Sequence, residues 1–321
     1  MVRKELTICS SIFDDRKFLK LNMELSNVLN PDSKSRWILI ENDPSSLEFM
    51  EASPPDLIVL KGFPMDYSKK RPGSYHHALA LIKAIRNVKS RFALLLDPDF
   101  YIVRKNWIAD ILDHIKKNKL AFFGTPWNPK WCSKYRYFPN VNCMFIDLEQ
   151  VDKNTLAFRP GQDGDIINEN PLLLTKLVRY CGIRLIKEQY RRRLFLSSQD
   201  TGYHVYAQYA HKKEFKHEIA LPVFKELNGY PKGLLKLIYK GLPEYFNYNP
   251  KRLDSYSQIG FRELGFIDVE KYGWEEYLWK NKPFSLHVRR TKKDKFEAKN
   301  EMNNLHNALT NLTGIKIPNM Q

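Results

Sequence analysis

The sequence has no long apolar segment, no secretory leader and few cysteines. No apolar stretch reaches the ~18 residues that a membrane-spanning helix needs. The first ten residues join charged side chains to a short strand-like run and lack the apolar core of a secretory signal. The four cysteines show no Cys-x-x-Cys spacing, which argues against a zinc site and a disulfide framework. We therefore expect a cytoplasmic protein in a reducing compartment.

The chain also lacks the usual signatures of nucleic-acid recognition, although it is strongly basic. Its net charge of +16 favours anionic partners, such as nucleotides, phosphorylated glycans, anionic lipid surfaces or nucleic acid. No helix-turn-helix, zinc finger or RNA-recognition motif accompanies this charge. We expect no nucleic-acid partner, and a basic nucleic-acid-binding protein without catalysis is the alternative from a different functional class.

Alternating strand-like and helix-like segments in the first 150 residues predict an open, mostly parallel α/β sheet with flanking helices. The expected strands cover residues 5–11, 37–40, 57–60, 93–96, 120–124 and 141–148. The expected helices cover residues 14–29, 74–88 and 106–117. The second half is less regular and predicts a helix over 171–181, a strand over 183–186, a helix over 200–210 and a helical region from residue 291.

One buried-looking strand stops at Asp97-Pro98-Asp99. In an α/β protein, ligands bind at the carboxyl ends of the strands. Two carboxylates one residue apart can hold a hard cation such as Mg²⁺ or Mn²⁺, which commonly bridges to a phosphate. The alternative is an ordinary turn, because proline pre-sets φ and aspartate bonds to its own backbone.

Four segments in this order resemble the glycosyltransferases of the GT-A fold, particularly the family 2-like group. They are residues 7–11, 41–46, 75–81 and the Asp-x-Asp segment 94–99. The resemblance implies a Rossmann-like fold and a hexosyltransferase-type enzyme of polysaccharide biosynthesis. Such an enzyme moves a sugar from a nucleotide-sugar donor, here expected to be a UDP-sugar, to a glycan or lipid-linked acceptor. Residues 1–150 would bind the donor, and residues 151–321 would bind the acceptor and carry a C-terminal extension, within one composite domain.

The resemblance also implies roles for individual residues. Asp43 would accept a hydrogen bond from the nucleotide base, and Ser10 and Ser11 would line the same pocket. Asp97 would contact the ribose or the metal with its water shell, and Asp99 would ligate Mn²⁺ or Mg²⁺ directly.

Two positions depart from the family pattern. Pro44 follows Asp43 where the family has glycine. Histidine, either His76 or His77, stands where the family has an arginine, and the nearby Arg71 could replace that arginine in binding the donor.

Asp200 is the candidate catalytic base. Glycosyl transfer by direct displacement needs a carboxylate that takes the proton of the acceptor hydroxyl, and this transfer inverts the anomeric configuration. Gln199-Asp200 resembles the acidic pair that the family places at the start of a helix. The alternative for Asp200 is a helix N-cap, and Asp163 and Asp165 compete for the role of base.

His287 is the candidate third metal ligand or a diphosphate contact. It lies in a short strand-like run before Arg289 and Arg290, which could meet diphosphate oxygens. Many GT-A enzymes take such a contact from a histidine near the end of the chain. The alternative is a strand histidine that faces the core or solvent.

Basic and aromatic stretches suggest further contacts, each with a structural alternative. The cluster 190–193 could hold an anionic acceptor or form a solvated face. The segment 232–240 suits a helix on anionic lipid at the inner face of the membrane, or a core helix with a basic outer face. Trp127 could stack on a sugar or pack over a loop. A nucleotidyltransferase of similar fold is the enzymatic rival, but its glycine-rich, lysine-containing loop is absent after Ser11.

Overall fold

The computed structural model describes residues 5–13, 16–33, 35–42, 56–69, 72–130, 136–160, 200–225, 256–288 and 295–316. Its strands are β1 (Leu6–Ile12), β2 (Arg36–Glu41), β3 (Leu57–Lys61), β4 (Phe92–Leu96), β5 (Phe100–Ile102), β6 (Phe122–Gly124), β7 (Cys143–Asp147), β8 (His217–Ile219), β9 (Leu221–Pro222), β10 (Glu275–Trp279) and β11 (Lys282–His287). Its helices are α1 (Arg16–Leu29), α2 (Pro72–Arg86), α3 (Trp107–Asn118), α4 (Tyr203–Tyr209) and α5 (Lys295–Thr313). The helix expected over 171–181 and the strand expected over 183–186 lie outside the described residues.

The larger sheet has seven strands in the order β3-β2-β1-β4-β7-β6-β8. β1 pairs in parallel with β2 and β4, and the β2–β3 and β6–β8 pairs are also parallel. The α/β fold class with a mostly parallel sheet is therefore confirmed. β7 differs, because it runs antiparallel to both β4 and β6. The described residues between β6 and β7 contain no helix, so they do not form the helical crossover that parallel neighbours usually need.

Both faces of this sheet are covered, which explains why its strands read as continuous apolar runs. Ile8 and Leu94 face a core shared with α1 and α3. The adjacent residues Cys9 and Leu95 face the opposite core, which contains the apolar side of α2. Burial raises the pKa of the Cys9 thiol, so this cysteine behaves as a small apolar core residue.

A second sheet of four strands, in the order β5-β11-β10-β9, is antiparallel throughout. Its first strand, β5, follows β4 after only three residues, so the Asp-Pro-Asp segment is the link between the two sheets. β10 and β11 form a hairpin whose two loop residues, Lys280 and Asn281, both have positive φ, as the tightest hairpin turns require. A bulge between Tyr277 and Leu278 shifts the pairing of this hairpin by one residue.

Among the described helices, none combines the length and apolar content that crossing a membrane would require. The segment 232–240, considered above for contact with anionic lipid, lies outside the described residues.

Candidate metal centre and active-site cleft

An open cleft of about 460 Å³ lies at the carboxyl ends of β1 and β4. The chain builds β2 and β3 on one side of β1 and places β4 on the other side, so the strand order reverses here. Such a reversal is where open α/β sheets bind their ligands. The residues that line the cleft include Ser11, Asp97, Asp99, Trp127, Asp200 and His287.

The three expected metal ligands come together in this cleft. Asp97, Asp99 and His287 each offer one ligand atom, and these atoms lie within 4.8 Å of one another. The Nε2 atom of His287 is 3.6 Å from Oδ1 of Asp99. A cation bonded to two ligands at about 2.1 Å can hold them up to about 4.2 Å apart, so one ion can bridge this pair.

Backbone and side-chain bonds hold the Asp-Pro-Asp segment as a turn. The amide of Phe100 donates to the carbonyl of Asp97 at 3.1 Å, and the amide of Asp97 donates to the carbonyl of Asn142 at 3.0 Å. Asn22, buried on α1, donates its side-chain amide to the carbonyls of Phe100 at 2.7 Å and Pro98 at 3.4 Å. The turn and the metal-ligand interpretations of this sequence are therefore compatible, because the turn aims both carboxylates into the cleft.

The second sheet places His287 beside the aspartates. β11 pairs with β5 so that His287 lies opposite Phe100, and the amide of Val288 donates to the carbonyl of Asp99 at 3.0 Å. The imidazole is 1% exposed and contacts the ring of Phe100, with 5.2 Å between ring centroids. His287 is thus a buried strand histidine, and one of its ring nitrogens faces Asp99.

Asp200 also lines the cleft, and its carboxylate is oriented by two donors. The hydroxyl of Ser74 and the amide of Thr201 donate to Oδ1 at 2.7 and 2.9 Å. The N-cap alternative for Asp200 is wrong, because α4 begins at Tyr203 after Gly202, the N-cap, whose φ is 87°. Ser74 lies in the first turn of α2, which begins at Pro72, two residues before its expected start.

The two adjacent histidines of α2 point to different places. His77 lines the cleft, with its Nε2 atom 3.5 Å from Oδ1 of Asp97. His76 is buried, where its ring contacts Phe13 and its Nε2 atom meets the carbonyl of Phe63. The structure therefore settles which of the two faces the candidate site.

Ser11 lines the cleft, but Ser10 does not. Both serines are buried, and successive side chains of a strand point to opposite faces, so the structure does not bring Ser10 into this cleft with Ser11. Several other sequence candidates lie outside the described residues, namely Asp43, Arg71, Asp163, Asp165, Arg289, Arg290 and the basic cluster 190–193.

Aromatic side chains border the cleft next to Asp200. Trp127 lines both the cleft and a small adjoining pocket. In that pocket, the guanidinium of Arg136 lies over the rings of both Tyr203 and Tyr206, at 5.1 and 5.0 Å from their centroids. The sequence indicated Trp127 as a candidate but gave no sign of Arg136, because no recognisable motif surrounds Arg136.

Cys143 lies beside the cleft and is not a candidate ligand. Its thiol is fully buried, and both burial and the charge of Asp97 raise its pKa well above the usual value. A thiol that stays protonated does not bind a cation.

No protein-family model and no curated protein matches the sequence. Among solved structures, TarS 1–349 from S. aureus is 10% identical with a TM-score of 0.35, and the match covers 48% of this chain and 50% of that one. The mannosyltransferase PcManGT from Pyrobaculum calidifontis, in complex with GDP-Man and Mn²⁺, is 12% identical with a TM-score of 0.36, over 49% and 48%. The galactosyltransferase LgtC, in complex with donor and acceptor sugar analogues, is 11% identical with a TM-score of 0.38, over 76% and 83%.

The matched region thus spans about half the length of the first two structures. Because every one of these TM-scores is below 0.5, the likeness by itself assigns neither fold nor activity. What this chain does has to be inferred from the geometry of its own cleft.

Proposed function

We propose that this chain is a metal-dependent glycosyltransferase that moves a sugar from a nucleoside-diphosphate sugar to a hydroxyl group of a glycan or lipid-linked acceptor. The observation that carries the proposal is the convergence of Asp97, Asp99, His287 and Asp200 in one cleft at the strand-order reversal. Three ligand groups and one further carboxylate are the groups that metal-assisted displacement of a nucleotide needs. The GT-A resemblance of the sequence supports the same reaction.

The chemistry of the three expected metal ligands favours Mn²⁺ as the cofactor. Mg²⁺ prefers a shell of oxygen ligands, whereas an imidazole suits transition metals, and this site offers one imidazole beside two carboxylates. When bound, the cation supplies Lewis-acid stabilisation of the leaving nucleoside diphosphate. Ser11, at the end of β1, would contact the nucleoside part of the donor.

Asp200 would take the proton of the acceptor hydroxyl. The bonds from Ser74 and Thr201 fix its carboxylate in the cleft, so the ordering of this side chain is complete before the acceptor binds. Trp127, which borders the same cleft, offers an aromatic face for the acceptor sugar. Transfer with Asp200 as base inverts the anomeric configuration.

The donor site is tested by calorimetric titration of UDP, GDP and CDP, each with and without Mn²⁺. We expect one nucleotide, UDP by sequence resemblance, to bind only with Mn²⁺, and to bind at least ~10-fold more weakly to Asp99→Asn. Asp110→Asn is the matched control, because Asp110 is a half-exposed aspartate of α3 that pairs with Arg104 at 3.4 Å. If the wild type bound none of the nucleotides, the proposal would fail.

The catalytic role of Asp200 is tested separately with Asp200→Asn. We expect Mn²⁺-dependent nucleotide binding to persist, while nucleotide release stimulated by a panel of glycan and lipid-linked acceptors falls by about 10²–10⁴-fold. Transfer of a nucleotidyl group, with release of pyrophosphate instead of a nucleoside diphosphate, would favour the nucleotidyltransferase alternative. Binding of random-sequence DNA without Mn²⁺-dependent nucleotide binding would favour the nucleic-acid-binding alternative.

A further inference from the structure

We propose that Glu275 is a positioning residue of the metal centre, which holds the His287 ring in the tautomer that presents Nε2 to the cation. This inference rests on the proposed function, because it requires a cation at Asp97, Asp99 and His287. Glu275 belongs to no sequence motif, and the resemblance described above gives it no role.

Glu275 and His287 are direct partners across the β10–β11 hairpin. Oε2 of Glu275 lies 3.3 Å from Nδ1 of His287, while Nε2 on the other edge of the ring lies 3.6 Å from Oδ1 of Asp99. The side chain of Glu275 is fully buried and that of His287 is 2% exposed. The imidazole is thus held between two carboxylates, of which one faces the cleft and the other faces the interior.

This arrangement determines where the ring proton lies. A neutral imidazole carries one N–H group, and an ionised carboxylate only accepts hydrogen bonds, so Glu275 and Asp99 compete for that one donor. Glu275 is the nearer of the two, at 3.3 Å against 3.6 Å, and a cation held by Asp99 needs the lone pair of Nε2, so the N–H group belongs on the nitrogen that faces Glu275. The side-chain amide of Asn142 also lies near Nδ1, at 3.4 Å, and as a donor it would favour the opposite tautomer. Bonds to a charged group are about twice as strong as neutral ones, so Glu275 prevails and the lone pair of Nε2 faces the cleft.

Two further groups support the charge of Glu275 in the interior. Lys130 approaches Oε1 at 3.2 Å, and the hydroxyl of Tyr277 donates to Oε2 at 3.1 Å. A buried carboxylate without such partners would be strongly destabilising. Lys130 lies in the connection from β6 to β7, so the chain of contacts from Lys130 through Glu275 to His287 joins that connection to the metal centre. Histidine ligands of metals commonly donate their second ring N–H to a carboxylate in this way.

The test compares Glu275→Met, which removes the acceptor, with Glu275→Gln, which keeps one acceptor oxygen without the charge. We expect Glu275→Met to weaken Mn²⁺ binding by about 10–100-fold, and Glu275→Gln to show a smaller loss. Mn²⁺ binding is followed by the electron paramagnetic resonance signal of the free ion. Glu218→Gln is the control, because Glu218 pairs with Nε2 of His114 at 2.9 Å and neither residue lines the cleft.

A second measurement does not depend on the metal. Nitrogen-15 spectra of the metal-free protein, at a pH where the ring is neutral, should show the proton of His287 on Nδ1 in the wild type. In Glu275→Met we expect a shift towards the Nε2–H form, because the Asn142 donor near Nδ1 and the Asp99 acceptor near Nε2 both favour that form once Glu275 is gone. Glu275→Gln carries the test if Glu275→Met does not fold.

The outcomes separate this inference from the function on which it rests. If the wild type bound no Mn²⁺, the metal centre itself would be refuted. If the wild type bound Mn²⁺ and Asp99→Asn lost it, but the Glu275 variants kept both the Mn²⁺ affinity and the tautomer of the wild type, the role of Glu275 would be refuted alone. A lower melting temperature with both readouts unchanged would make Glu275 a structural residue only.

Discussion

Replacing Asn22 with alanine tests how firmly the Asp97-Pro98-Asp99 turn of the proposed metal centre is held. The side-chain amide of Asn22 is the bond from α1 to the turn, and its shortest contact is the 2.7 Å bond to the carbonyl of Phe100. Asn22 is 1% exposed, so water does not readily replace the lost donor. We expect both a less stable protein and a metal centre whose two carboxylates are less well ordered.

The size of both effects follows from that bond. Leaving a buried carbonyl without its donor costs about 1–3 kcal/mol, so we expect the free energy of unfolding to fall by about 2 kcal/mol. For a chain of this size that lowers the melting temperature by roughly 3 °C. If about half of this free energy is needed to order the two carboxylates again when the cation binds, the free energy of Mn²⁺ binding weakens by about 1 kcal/mol. That corresponds to a roughly fivefold lower affinity.

Asn30→Ala is the matched control, because Asn30 directly follows the last residue of α1. Asn30 is also buried, donates to the carbonyl of Ser26 at 2.7 Å, and accepts the amide of Ile108 at 2.9 Å. It should therefore lose similar stability in scanning calorimetry while binding Mn²⁺ as the wild type does. The reasoning is refuted if Asn22→Ala binds Mn²⁺ with wild-type affinity, or if Asn30→Ala weakens binding equally.

Three further predictions concern stability. Burial raises the pKa of Glu276 from 4.5 to about 7. Between these pH values the folded state keeps a proton that the unfolded state has lost, so the free energy of unfolding falls as the pH rises. Urea unfolding at pH 5 and pH 8 should show that Glu276→Gln removes this decline of about 3 kcal/mol. Asp147→Ala removes a fully buried carboxylate that accepts from the part-exposed Arg91 at 2.9 and 3.1 Å, and should cost about 1–3 kcal/mol in urea unfolding without changing Mn²⁺ affinity. Gly124→Ala places a Cβ 2.0 Å from the carbonyl oxygen of Cys143, so its circular dichroism should show little folded protein.

The strands of the first 100 residues could be predicted from the sequence because the sheet they form is covered on both faces. β1 to β4 appear as short apolar runs between polar segments, and each begins and ends within one residue of its expected position. The same runs end in the polar residues of the cleft, so Ser11, Asp97 and Asp99 could be found by their place after or near the end of a strand. Ser10 is not part of this cleft, because neighbouring side chains of a strand alternate between its two faces.

The second sheet could not be predicted in the same way. β5 and β9 have three and two residues, too few for any periodicity to be visible. The hairpin loop aligns Trp279 with Lys282, and regular pairing from there would place Glu275 opposite Leu286. The bulge shifts the pairing by one residue and brings Glu275 opposite His287. Such a shift depends on tertiary packing, and the only local sign of it in the strands is Pro283, a residue often found at bulges.

The Asp-Pro-Asp link between the two sheets has a consequence for the order in which parts of the protein can fold. The two aspartates are synthesised long before the strand that carries His287, yet β5, which follows them directly, has β11 as its described partner. A pairing between residues so far apart in the chain forms late, because the entropy of closing the intervening loop must first be overcome. A nascent chain or a proteolytic fragment that stops before Trp274 keeps both carboxylates and lacks His287, the third expected ligand. High-affinity Mn²⁺ binding would then report that synthesis has passed the last hairpin and that both sheets have docked.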